Sequence, residues 1–273
     1  VDKAAQRARV GLGALALALL SACAAPTAPR EAATLSYPPA ARERMLRLAT
    51  AEWRDWGAIT VDPARRPQTA EAESNPANFP RVLAYWRAVP EGPPIIAENR
   101  PLYVAALAGE AEGRELWRET PWSAAFISWV MAGAGVDARE FPPSASHSTY
   151  VDALIRDAQR YPSAAPFIPY LPAEVAAERG DLLCADRTRN PIRNWRDRAA
   201  DQGRFRPMHC DIVVEAGPGH VEVIGGNVLD AVTRTRYPAD ASGYLLPQAP
   251  GTPTWFALFR NRLGKLPPWS PTQ

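Results

Sequence analysis

Three histidines, at positions 147, 209 and 220, and three cysteines, at positions 23, 184 and 210, make the search for a general base and a thiol nucleophile short. A thiol enzyme places its nucleophile at a helix start, where unpaired backbone N–H groups and the helix dipole stabilise a thiolate. An imidazole on a neighbouring strand then takes the proton, and a third polar side chain orients the ring. The segment Trp122-Ser123-Ala124-Ala125-Phe126 sits at such a start, with Thr120 reading as N-cap and Pro121 as the first helical residue.

The elements that must position these groups change character along the chain. Apolar residues recur at helical spacing from Ala40 to Gly57, through Met45, Leu48, Ala49, Trp53 and Trp56. A polar stretch over 58–78 reads as a loop. A second helix is expected over Phe79 to Val89, ended by Pro90, Pro93 and Pro94, and a weaker one over Leu102 to Leu116. The helix of Ser123 runs to about Ala134, another fits Ser148 to Arg160, and Tyr161 to Pro172 reads as a proline-rich loop. After Gly180 the period falls to two, giving short strands at Asp181 to Ala185, Cys210 to Glu215, His220 to Ile224 and Thr254 to Arg260. Ala216-Gly217-Pro218-Gly219 reads as a hairpin turn. Helices first and an antiparallel sheet second predict an α+β domain.

Four segments, in order, resemble the CHAP and NlpC-type papain-like amidases and peptidases. Trp122 to Trp129 resembles their nucleophile helix, typically Trp-Cys-Ala-Ala-Phe-Val followed by a further aromatic. Gly180-Asp181-Leu182-Leu183 looks like the strand before their histidine, and His209-Cys210-Asp211-Ile212-Val213-Val214 like the histidine strand. Val223-Ile224-Gly225-Gly226-Asn227 looks like the strand that carries the orienting residue. The resemblance implies a papain-like fold, a helical part over 39–115, a catalytic-like core over 116–262, and the trio Ser123, His209 and Asn227. The mature chain as a whole resembles the bacterial family DUF2272, which supplies no activity.

Ser123 stands where those enzymes have cysteine. A thiol near pKa 8.5 can rest as a thiolate in an imidazolium pair, but an alcohol cannot. Ser123 would therefore attack only as His209 removes its proton. The resemblance implies a hydrolase of peptidoglycan peptides or, as the alternative, a catalytically inactive cell-wall or peptide-binding relative. Around the trio other readings are open. His220 could replace His209 as base. His147 either lines the cleft or caps the next helix. Asn227 either orients an imidazole or closes a Gly-Gly-Asn turn, and Trp122 either meets substrate or fills the core.

The address comes from the first residues. Lys3, Arg7 and Arg9, then the apolar run Val10 to Leu20, then small residues, have the order of a secretory signal over 1–22. The run is about half the roughly 20 residues a membrane-spanning helix needs. Leu20-Ser21-Ala22-Cys23 resembles the lipobox of bacterial lipoproteins, in which the thiol is acylated and the chain is cut before it. That implies a membrane partner through acylated Cys23, residues 23–38 as a flexible tether and 39–273 as a single domain. Ala24 after the cysteine points, by the family's rule, to the periplasmic face of the outer membrane.

Of 31 basic and 29 acidic residues the signal carries three and one, so 28 of each remain, and no nucleic-acid partner is expected. Alternation sends Cys210 to the face opposite His209, so that histidine cannot serve it as a base. Cys184 and Cys210 fall on strands expected to be neighbours in an oxidising compartment, and a disulfide between them is the better reading. The cysteines and scattered histidines show no zinc-ligand spacing, and neither a metal nor a cofactor is expected.

Overall fold

The computed structural model describes residues 41–63, 73–110, 116–247, 252 and 254–264. The signal, Cys23 and the tether lie outside the described residues. Among the described residues, six helices and seven strands follow in the order α1 (Ala41–Asp55), β1 (Thr60–Val61), α2 (Phe79–Arg87), α3 (Gly92–Leu107), α4 (Ser123–Gly133), α5 (His147–Arg160), β2 (Phe167–Tyr170), β3 (Leu182–Asp186), α6 (Trp195–Ala200), β4 (Met208–Gly217), β5 (His220–Val228), β6 (Ala231–Pro238) and β7 (Thr254–Asn261). The domain is mixed α+β, with one seven-stranded sheet in the order β1-β6-β5-β4-β3-β7-β2. All its pairings are antiparallel except that of β1 with β6.

α4 carries no charge from Ser123 to Gly133, and Ser123 to Ser128, Val130 and Met131 are all buried. A helix apolar on every side must be enclosed. α1 and α2 cover it on one flank and β4 and β5 on the other. Period-two alternation divides the strands between two cores. Leu182, Cys184, Cys210, Ile212 and Ile224 join the helices, while Leu183, Ala185, Val213, Val221 and Val223 pack with Tyr237, Leu245 and Trp255. In register, Cys184 faces Cys210 across β3 and β4, and a disulfide joins them.

Several local expectations change. Pro93 and Pro94 do not end a helix but begin α3, because the first turn needs no intrahelical N–H donor. Thr120 is not the cap of α4: its hydroxyl donates to the Trp117 carbonyl, and Trp122 precedes the helix without a side-chain cap. The expected loop over 161–172 contains β2, and the loop over 58–78 contains β1, each a short edge strand. Gly225-Gly226-Asn227 makes no turn, since β5 continues through it to Val228, with a register shift against β6 between Gly225 and Val228. β6 escaped notice because its turn, Leu229-Asp230, lacks glycine although both residues have positive φ, at 53° and 60°.

Candidate active site

Ser123 is the first residue of α4, and His147 is the first residue of α5. The connection between them is tied back onto α4. The Ser128 hydroxyl donates to the Ser144 carbonyl and accepts from the Ser144 N–H, both at 3.1 Å. Glu91 accepts from the Ser144 hydroxyl at 2.8 Å and from the Ala145 N–H at 3.2 Å. These bonds bring the two helix starts together, and Ser123 Oγ lies 2.6 Å from His147 Nε2.

The other nitrogen of that ring, Nδ1, bonds the Tyr150 hydroxyl. Tyr150 lies three residues along α5, on the same helix face. Ser123, His147 and Tyr150 are all buried. Burial holds the His147 imidazole well below its usual pKa, and the nearby His209 and Arg187 push the same way. Burial likewise raises the Tyr150 phenol, with the Asp211 carboxylate adding to it. A neutral imidazole beside a neutral phenol has one donor and one acceptor nitrogen. With Nδ1–H donating to the Tyr150 oxygen, Nε2 accepts the Ser123 proton.

His209 stands beside this group, its ring centroid 5.3 Å from that of His147. Its Nε2 donates to Asp211 Oδ1 at 2.8 Å, two residues along β4 and therefore on the same side of the strand. Its Nδ1 is buried, without a hydrogen-bond partner among the described residues. Gly225 on β5 makes room for the pair, because a Cβ there would stand 1.8 Å from Asp211 Oδ1 and 3.0 Å from His209 Nε2. Gly226 does the same for α4, since its Cβ would meet the Phe126 side chain at 2.6 Å.

Asn227 does not orient His209. Its amide donates to Glu73 Oε2 at 2.9 Å, and the Trp122 indole donates to the same oxygen at 2.7 Å. Glu73 is buried, and desolvation raises its pKa; the bond from Trp122 opposes this, while Asp230 adds to the rise. Asn227 itself has φ of 55° in the left-handed region, so this carboxylate anchors a strained stretch of backbone. Trp122 is fully buried and stacks on Trp56 with ring centroids 5.3 Å apart, which makes it core. His220 lies at the opposite end of β5 from Asn227, about 23 Å away at ~3.3 Å per residue. It bonds Glu215 at 3.1 Å.

The structure thus brings together Ser123 and His147, with His209 alongside, and leaves Asn227 and His220 out of that group. Sequence reasoning missed Tyr150, Asp211 and Glu73. The first two had a local signal, three residues from a histidine on a helix and two from a histidine on a strand. Glu73 had none, since Trp122 and Asn227 lie 49 and 154 positions away.

A buried hydroxyl, a neutral imidazole and an uncapped helix start on an α+β scaffold define a candidate nucleophile site. The chain belongs to the DUF2272 family, uncharacterised proteins conserved in bacteria, whose family model matches residues 73–260. No curated protein and no solved structure matches it.

Proposed function

We propose that this domain is a serine-based hydrolase of papain-like type that cleaves amide bonds in peptidoglycan peptides, carried by an envelope lipoprotein. The observation that bears most weight is the 2.6 Å contact between Ser123 Oγ and His147 Nε2, with the second ring nitrogen held by Tyr150. That is the nucleophile, base and orienting group of a hydrolase, in one chain of hydrogen bonds. Ser123 attacks the carbonyl carbon as its proton passes to His147 Nε2. The first N–H groups of α4 lack intrahelical partners and the side chain of Trp122, which precedes them, makes no capping bond, so they can stabilise the oxyanion.

The papain-like assignment is supported by the order of parts: a helix carrying the nucleophile, then β3, β4 with a histidine, and β5 on the flank of that helix. The base differs from the one the resemblance implies, His147 in place of His209. The cell-wall substrate rests on that resemblance and on the lipobox. The Cys184–Cys210 disulfide suits an oxidising compartment, which supports a periplasmic location. Acylation of Cys23 would hold the domain at the outer membrane.

The test is incubation with peptidoglycan fragments and, separately, with a fluorophosphonate probe, comparing wild type, Ser123→Ala and Ser123→Cys. Labelling and cleavage that vanish in Ser123→Ala are expected. Binding of fragments without cleavage by any of the three would replace the hydrolase with a cell-wall-binding protein.

A further inference from the structure

His209 and Asp211 have no task in the scheme above, yet the fold reserves space for them. Asp211 is 3% exposed and His209 7%, and glycine at 225 is required beside them. With Nε2 committed to Asp211, the ring can act only through Nδ1. That atom is buried, has no partner among the described residues, and belongs to a ring 5.3 Å from the ring that serves Ser123. Leaving a buried nitrogen unpaired is destabilising, and such atoms point to a partner that arrives from outside.

We propose that His209, oriented by Asp211, is the acid that protonates the leaving amine, so that two histidines divide the proton transfers of one reaction. The inference rests on the hydrolase reading of Ser123. The proposed cycle starts with the Ser123-bonded nitrogen of His147 unprotonated and with protons on both nitrogens of His209, Nε2–H donating to Asp211 Oδ1. In acylation the Ser123 O–H bond breaks and its proton moves to His147 Nε2 while Oγ bonds to the carbonyl carbon. The C–N bond then breaks, and the amine nitrogen takes the proton of His209 Nδ1. In deacylation a water attacks the ester and gives its proton back to His209 Nδ1. The C–Oγ bond breaks, and Oγ recovers its proton from His147 Nε2. Both rings end as they began. The summed charge of the two rings and Asp211 is the same in the acyl-enzyme as at rest, because only the position of one positive charge changes.

The division can be read from leaving groups. An alkylamine cannot depart without a proton, whereas p-nitrophenolate can. The purified chain is assayed on the p-nitrophenyl ester and the propylamide of the same N-acetyl-alanine acyl group, with fluorophosphonate labelling in parallel. His209→Gln is expected to lower amide turnover about 100-fold or more, while the p-nitrophenolate burst that reports acylation by the ester, and fluorophosphonate labelling, stay within about threefold; steady-state ester turnover falls as well, because deacylation also uses His209. His147→Gln is expected to lower all of these. Asp211→Asn, which keeps the shape of the pair, is expected to show the same split as His209→Gln in weaker form, and melting curves check that each variant folds. The ester burst rate and amide turnover falling together in both His209→Gln and Asp211→Asn, or amide turnover falling in neither, overturns the inference while leaving Ser123 as nucleophile. A wild type with no Ser123-dependent labelling or turnover overturns the hydrolase reading and this inference with it.

Discussion

Reduction of the disulfide offers a quantitative test of how the sheet is held. Cys184 and Cys210 are fully buried, directly opposed on β3 and β4, and 26 positions apart. In the chain-entropy treatment, opening a loop of that length returns about 12 cal/mol/K to the unfolded chain, or about 3.5 kcal/mol at 25 °C. For a domain of this size 1 kcal/mol corresponds to about 2–4 °C, so reduction is expected to lower Tm by about 7–14 °C. The same loss should move a urea midpoint by about 1 M or more. The assay is equilibrium urea unfolding followed by tryptophan fluorescence, with and without dithiothreitol, because reduction acts on the unfolded chain and leaves native packing unchanged. A shift below about 1 kcal/mol, with the thiols of the unfolded chain titrating as reduced, would refute the loop-entropy reasoning.

Other expectations follow from the site. Gly225→Ala drives a methyl group into the Asp211–His209 pair, and is expected to destabilise the fold by about 1–3 kcal/mol and to lower amide turnover; unchanged melting and turnover would show that the pair has room to move. Burial holds His147 well below the ordinary imidazole value of 6.5, so the neutral base persists as pH falls through that value. Fluorophosphonate labelling of Ser123 should therefore stay flat through pH 6.5 and decline only below it, and a half-maximal rate at or above 6.5 would remove His147 as the base. Glu73 has the opposite linkage: its folded pKa lies above 4.5, so its protonated form favours the fold, and stability is lost as pH rises through the folded value. The stability of Glu73→Gln relative to wild type, measured by urea unfolding, should accordingly rise between pH 4.5 and neutrality, and a difference independent of pH would contradict the assigned shift.

Local chemistry made much of the scaffold legible. The 3.6-residue spacing of Met45, Leu48, Ala49 and Trp53 marks α1, and the uncharged run of α4 marks a buried helix. Alternation along β3 and β4 places Cys184 and Cys210 on a common side, so their pairing needed only the strands to be neighbours. The strands that stayed hidden were the ones whose ends carry unusual turn chemistry or whose length is two to four residues, as with β6, β1 and β2.

The choice of partner for Ser123 belonged to tertiary structure. A sequence presents Ser123, His147 and His209 as three residues of suitable type, and their order favoured His209. The decision fell to the loop before α5, where the Ser128 hydroxyl pairs both backbone groups of Ser144 and Glu91 accepts from the Ser144 hydroxyl, so that one helix start is held against the other. Asn227 was drawn from the histidine by Glu73 for the same reason, since a buried carboxylate needs donors wherever they lie in the chain. Periodicity is a property of neighbours in sequence and fixed the elements. Hydrogen-bond satisfaction is a property of neighbours in space, and it alone fixed which polar groups meet.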